Sequence, residues 1–262
     1  MKLFASDYDG TFYKHNRQKG EIEANIQQVG KWQQAGNLFI FATGRSISMM
    51  QFEKRHRKIK YDYVVGLNGA VIVDRDDNIL LQEAIPNQTA REIVGLIEES
   101  GIESYSITDG FKGYVRAPFR WAHKSGLWLK LVGLMTRTYH LSKAQALTLP
   151  VAQIAVTMPS QEEAVAFAKQ VNDQFKGEAT AFANLVHVDI QALGLSKATG
   201  THFVANKYGI PKNQIIGMGD SFNDLPMLEA FLGLTLPEAK KEIKDVADGI
   251  YETVGRALED LR

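Results

Sequence analysis

Lys2-Leu3-Phe4-Ala5-Ser6-Asp7-Tyr8-Asp9-Gly10-Thr11 is the stretch on which the fold turns. Its first half, Lys2 to Ser6, reads as a short apolar strand that stops at Asp7. Carboxylates at i and i+2 on an extended strand point the same way, so Asp7 and Asp9 are expected to reach one ligand beyond the strand end. Gly10 lets the chain break sharply, and Thr11 is expected to hydrogen-bond locally and hold the turn. A polar turn rich in Asp and Gly is the plain alternative, and the fixed spacing argues against it.

Working outward, Glu21 to Ala35 predicts a helix, with Ile22, Ile26, Val29 and Trp32 on one face and Gly36 to close it. Asn37 to Ala42 is a buried strand ending at Thr43-Gly44-Arg45-Ser46, which opens another helix. Tyr63 to Gly66 is a third strand, followed by the hairpin signal Asn68-Gly69. Val71 to Val73 and Ile79 to Leu81 flank a second polar turn. This β-α-β-α-β rhythm predicts an α/β fold, a doubly wound, Rossmann-like parallel sheet.

The middle of the chain changes character. Thr89 to Ser100 and Gln161 to Phe175 read as helices. Ser104–Thr108, Tyr114–Ala117, Ala152–Met158, Ala179–Ala183 and Val186–Gln191 read as short strands with hairpin turns. The mixture predicts a separate α+β unit inserted at 84–188, leaving a core of 1–83 and 189–262. After it the α/β rhythm resumes. Ser196 caps a helix from Lys197 to Tyr208, Gly209 stops it, Gln214 to Met218 is a buried strand and Leu225 to Phe231 is helical.

Composition narrows the chemistry. The 262 residues are 45% hydrophobic and 23% charged, with 30 basic against 30 acidic side chains. Such a chain can bury a real core and carries no general electrostatic footprint for nucleic acid or an anionic membrane. Cysteine is absent, which excludes disulfides, a thiolate nucleophile and Cys-based metal sites. The six histidines are scattered. No stretch approaches the roughly 18 uninterrupted apolar residues of a membrane span, and the N-terminus does not resemble a signal peptide. A soluble, cytoplasmic protein is the expectation.

The chemistry-bearing residues lie just past strands. At Asp7-x-Asp9, one carboxylate can attack phosphorus while the other donates and then removes a proton. Gly217-Met218-Gly219-Asp220-Ser221-Phe222-Asn223-Asp224 is a second acidic loop, whose hard oxygens suit Mg²⁺. Alone it reads equally well as a helix cap, but two neighbouring acidic loops would repel without a cation. Thr43 and Gly44, at a helix start, offer a hydroxyl and backbone N–H groups to an oxyanion, although a plain N-cap serves as well. Lys197 is misplaced on dipole grounds, since a cation is disfavoured at a helix N-terminus. An anion nearby would explain it, although taken by itself a solvated surface lysine is the plainer reading.

These four segments, in this order, resemble the four motifs of the haloacid dehalogenase-like hydrolases, and the long insertion resembles the type IIB cap of the Cof-type sugar-phosphate phosphatases. The resemblance implies Asp7 as nucleophile, Asp9 as general acid and base, and Thr43 and Lys197 as phosphate binders. It likewise implies that Asp7, the Asp9 carbonyl and Asp220 hold Mg²⁺, with Asp224 supporting and Asn223 near the substrate phosphate. The implied activity is hydrolysis of small phosphate monoesters through an aspartyl-phosphate. A phosphomutase or phosphotransferase of the same fold, a silent sugar-phosphate sensor and a receiver-type switch are the rivals. Leu234-Thr235-Leu236-Pro237 departs from the Met-Gly-Asn of relatives, and the segment before Asp248 looks shortened. Aromatic and polar residues suited to a sugar concentrate in the insertion, from Phe111 through Tyr114, Arg116, Phe119, Arg120, Trp121 and His123 to Trp128.

Overall fold

The structure, a computed structural model, describes residues 1–14, 20–117 and 138–262. In chain order these begin with β1 (Leu3–Ser6), α1 (Glu21–Gln34), β2 (Leu38–Ala42), α2 (Ile47–Arg57), β3 (Tyr63–Gly66), β4 (Val71–Asp74) and β5 (Ile79–Gln82). Next come α3 (Asn87–Glu99), β6 (Tyr105–Thr108), β7 (Gly113–Arg116), α4 (Lys143–Ala146), β8 (Gln153–Thr157), α5 (Gln161–Gln174), β9 (Ala179–Asn184) and β10 (His187–Ala192). The rest are α6 (Lys197–Lys207), β11 (Ile215–Met218), α7 (Leu225–Ala230), β12 (Leu232–Thr235), α8 (Lys241–Lys244), β13 (Gly249–Ile250) and α9 (Val254–Leu261). They divide into two compact units, one of Met1–Arg45, Glu53–Leu80 and Ser196–Arg262, the other of Ser46–Phe52 and Leu81–Leu195.

The first unit is built on a sheet of order β13-β12-β11-β1-β2-β3-β4-β5. Its pairings from β13 to β3 are parallel, and β4 returns antiparallel to β3 through a 3₁₀ turn at Leu67–Gly69. β1 and β2 are buried along their whole length, as strands covered on both faces must be. Phe4, Phe39, Phe41 and Phe12 pack around them, and Trp32 of α1 meets Phe4 edge-on at 5.8 Å while donating its Nε1 hydrogen to Leu38 O.

α1 turns inward much of the face that its apolar spacing suggests, rotated toward Asn25. Val29 and Trp32 are buried, but Asn25 joins them, whereas Ile22 and Ile26 stay half-buried. Asn25 tolerates burial because it is satisfied twice: its Nδ2 donates to Phe12 O and its Oδ1 accepts from Gly255 N at 2.7 Å. A polar side chain thus ties the first helix to both the Asp7–Tyr13 loop and the last helix.

The second unit carries a sheet of order β7-β6-β8-β10-β9, antiparallel in every one of its pairings. Ile107, Ile154, Val156, Val188 and Ile190 line one face and pack with Ile93 and Ile97 of α3 and Phe167 and Val171 of α5. The boundary expected between 188 and 189 falls inside β10. That strand pairs with β9 from His187 to Ala192, and the chain turns at Gly194, where φ is 80°. The unit therefore runs on to Leu195. No helix among the described residues is long and apolar enough to cross a membrane.

Candidate active site

β11, β1 and β2 run parallel, with Ser6 in register with Met218 on one side and Phe41 on the other. The loops that follow them leave from one edge of the sheet, where ligands of such sheets bind. Asp7 N donates to Met218 O at 2.8 Å, so the two acidic loops begin side by side.

Asp7, Asp220 and Asp224 come together there, each offering a carboxylate oxygen within 4.8 Å of the others. Asp7 and Asp224 are buried, and Lys197 reaches between them, its Nζ 2.7 Å from Asp7 Oδ1 and 2.6 Å from Asp224 Oδ1. Lys197 is the first residue of α6, behind a capping box formed by Ser196 and Thr199. Its side chain is 1% exposed and its ammonium meets two carboxylates, which explains a cation at the positive end of a helix. Asp224 Oδ2 in turn accepts the backbone N–H groups of Asp220 and Ser221, locking the second loop.

Two glycines make the approach possible. Gly10 has φ 83°, and a Cβ there would lie 2.5 Å from Asp220 Oδ2; one on Gly219 would lie 2.2 Å from Asp224 Cγ. Thr11 does not hold its own turn as expected. Its hydroxyl donates to Asp220 Oδ1 at 2.9 Å, so it joins the two loops instead.

Three carboxylates against one ammonium leave an excess of negative charge in a buried place. Burial pushes the Asp7 carboxyl well above the usual carboxylate range; Lys197 opposes this, while Asp224, Asp220 and Asp9 add to it. Burial and Asp224 likewise raise Asp220. Lys197 moves up from its ordinary value, because Asp224 and Asp7 outweigh the cost of burying its charge. Hard oxygen donors with uncompensated charge fit a divalent cation, and this cluster could hold one.

Asp9 stands apart from this cluster. β1 ends at Ser6, and the chain then curls so that Asp9 bridges Tyr13, which ends the strand alternation that would have aimed both carboxylates one way. The Asp9 carboxylate is instead gripped by Arg45, whose Nε and one terminal nitrogen each donate to it at 2.6 Å. Arg45 lies over the Tyr8 ring and also donates to Glu53. It directly follows the Thr43-Gly44 pair, and that position was its sequence signal; its partners on two other segments were not visible. Thr43 is buried, and its hydroxyl accepts Arg45 N at 3.1 Å, while Gly44 is half-buried beside it. Asn223 donates to Asn68 Oδ1 at 3.1 Å, and its own buried Oδ1 has no hydrogen-bond partner among the described residues.

Residues 4–255 match the sequence pattern of the haloacid dehalogenase-like hydrolases. The chain belongs to that family. As a haloacid dehalogenase-like hydrolase it is similar to a protein described as a putative phosphatase of Mycoplasma pneumoniae, 26% identical over 99% of this chain and 95% of that one. It is also similar to the phosphatase YwpJ of Bacillus subtilis, at 24% identity over 97% and 95% of the two chains. Among solved structures, a haloacid dehalogenase-like hydrolase from B. subtilis superposes over the full length of both chains with a TM-score of 0.82 at 23% identity. A sugar phosphatase of subclass IIB gives a TM-score of 0.79 at 19% identity, over 100% and 99%. The mainly parallel sheet with a separate antiparallel sheet inserted is the fold of this family.

Proposed function

We propose that this phosphatase of the haloacid dehalogenase-like superfamily hydrolyses small phosphate monoesters, sugar phosphates in particular, through an aspartyl-phosphate. The observation that carries the reading is the buried Asp7 carboxylate at the end of β1, held by Lys197 and flanked by Asp220 and Asp224. Asp7 attacks phosphorus and the bond to the ester oxygen breaks. Asp9 gives its proton to the departing alkoxide, then removes one from the water that attacks phosphorus as the bond to the Asp7 oxygen breaks. That step frees inorganic phosphate and restores the Asp7 carboxylate. Lys197, Thr43, Gly44 and Asn223 hold the phosphoryl oxygens, and Lys197 also keeps the Asp7 carboxylate oriented. Asp7, the Asp9 carbonyl and Asp220 would hold Mg²⁺, with Asp224 supporting. When bound, that ion neutralises charge on the transferring phosphoryl group.

We assign choice of ester to the inserted unit as a cap, because the four motif segments serve phosphate chemistry common to every ester. The stretch from Phe111 to Trp128 supports this through its aromatic and polar content; Phe119, Arg120, Trp121, His123 and Trp128 lie outside the described residues. The kinship with a sugar phosphatase of similar fold points the same way. The test is phosphate release from a panel of sugar phosphates and acetyl phosphate with Mg²⁺. Arg116→Ala, Arg120→Ala and His123→Ala should change kcat/KM unequally across the sugars and leave acetyl phosphate nearly unchanged. A panel without turnover refutes the phosphatase reading, and parallel losses refute the assignment to this stretch.

A further inference from the structure

Asp9 belongs to a ring of interacting side chains whose other members, Arg45, Glu53, Arg57 and Tyr13, take no part in the reaction. Arg45 donates to Asp9 through two parallel bonds and, from its remaining terminal nitrogen, to Glu53 Oε1 at 2.7 Å. Glu53 Oε2 accepts from Arg57 Nε at 2.6 Å, and Arg57 donates to the Tyr13 hydroxyl with its guanidinium 4.2 Å above that ring. Tyr13 and Asp9 are bridge partners in the loop after β1, and Tyr13 stacks on Tyr8, over which Arg45 lies. The ring therefore closes on itself. One carboxylate on α2 holds two guanidiniums, and each guanidinium grips a different part of the same loop.

Burial separates this from ordinary surface ion pairing, which fixes little. The Glu53 side chain is 8% exposed and that of Arg45 10%, whereas that of Asp9 is 46% exposed. A buried carboxylate left alone is costly, so Glu53 is committed to its two partners. Burial by itself would lower the Arg45 pKa, yet pairing with Asp9 and Glu53 holds it above its ordinary value. A planar fork held from behind can present its other edge in one direction only, and that edge faces Asp9.

We propose that Glu53 is a positioning residue of this enzyme: by fixing the Arg45 guanidinium, it sets where the Asp9 carboxylate stands. The proposal rests on the reading of Asp9 as acid and base. Proton transfer to a leaving group is sensitive to placement at the ångström level. Loosening Arg45 should therefore lower turnover while leaving phosphate binding, which Glu53 does not touch, nearly intact.

The experiment measures kcat and KM with a hexose phosphate for Glu53→Gln, Glu53→Asp, Asp9→Asn and the Asp9→Asn/Glu53→Gln double variant, each verified folded by circular dichroism and thermal melting. Glu53→Gln should lower kcat by about tenfold or more, within the roughly 100- to 10,000-fold that a positioned acid or base supplies, with KM moving less than about twofold. Glu53→Asp should recover part of the loss. In the Asp9→Asn background the second substitution should cost nothing further, since its effect passes through Asp9. Should Glu53→Gln not fold, Arg45→Lys, which keeps the charge and loses the fork, must show the same loss and the same non-additivity. Wild-type kcat in a folded Glu53→Gln, or an equal further loss on top of Asp9→Asn, overturns the proposal alone. Wild-type activity in Asp9→Asn overturns the acid–base reading first, and the proposal with it.

Discussion

Lys197 Nζ donates to Asp7 Oδ1 at 2.7 Å across 190 positions of sequence, with both side chains nearly sealed from solvent. Lys197→Met removes the ammonium and leaves Asp7 and Asp224 buried together without it. Breaking a buried pair from one side costs about 3–5 kcal/mol. In chelator the variant should melt roughly ten degrees below the wild type, as measured by circular dichroism. An unchanged melting temperature contradicts the pairing.

Asp7→Asn should abolish phosphate release, because an amide is a far weaker nucleophile. The same change carries a pH signature. Because the folded-state pKa of Asp7 lies above its unfolded value, the stability linked to its proton is present below the ordinary carboxylate range. It is lost as pH rises through the raised value. Without metal, the wild type should therefore lose stability relative to Asp7→Asn as pH is raised from about 4. Parallel melting curves across that range would refute the assignment.

Saturating Mg²⁺ should raise the wild-type melting temperature by several degrees at neutral pH, since a ligand at 100 times its Kd adds about 2.7 kcal/mol. The gain should shrink as acid protonates the carboxylates. Activity should vanish with chelator and return with Mg²⁺ or Mn²⁺, but poorly with Ca²⁺, which prefers more ligands and looser geometry. Full turnover after exhaustive chelation, or a preference for Zn²⁺, would refute the cation assignment.

Gly10→Ala places a methyl group against Asp220 Oδ2 and forces a non-glycine residue to φ 83°. The expected cost is about 1–3 kcal/mol of stability, together with a higher Mg²⁺ concentration for half-maximal activity. Stability measured with chelator present separates the two effects.

Much of this arrangement could be read from local chemistry. The strand before Asp7, the cap at Ser196 and the left-handed Gly209 each announce themselves within a few residues. Lys197 was legible as an anomaly, because a cation is disfavoured at a helix N-terminus. What stayed hidden depends on distant partners. Nothing near Thr11 says that its hydroxyl will find Asp220, and nothing near Glu53 says that it will hold Arg45. The strand alternation invoked for Asp7 and Asp9 does not reach them, because it holds only while the strand lasts and β1 stops at Ser6. Thr235, in the atypical 234–237 segment, proves to be buried at the end of β12, with its hydroxyl donating to Gly219 O beside the second acidic loop.

The place of β1 between β2 and β11 has a consequence for how the molecule is made. During synthesis β1 can pair at once with β2, which follows within a few dozen residues, but its other edge waits for Ile215–Met218. Through the making of the whole inserted unit, the nascent chain carries one bare strand edge of apolar residues, the kind that recruits neighbouring chains. The cluster around Asp7 cannot assemble in that interval, because Lys197 and Asp220 have yet to be made. The sheet is completed late, when the segment from Ser196 to Arg262 brings β11 to the waiting edge of β1.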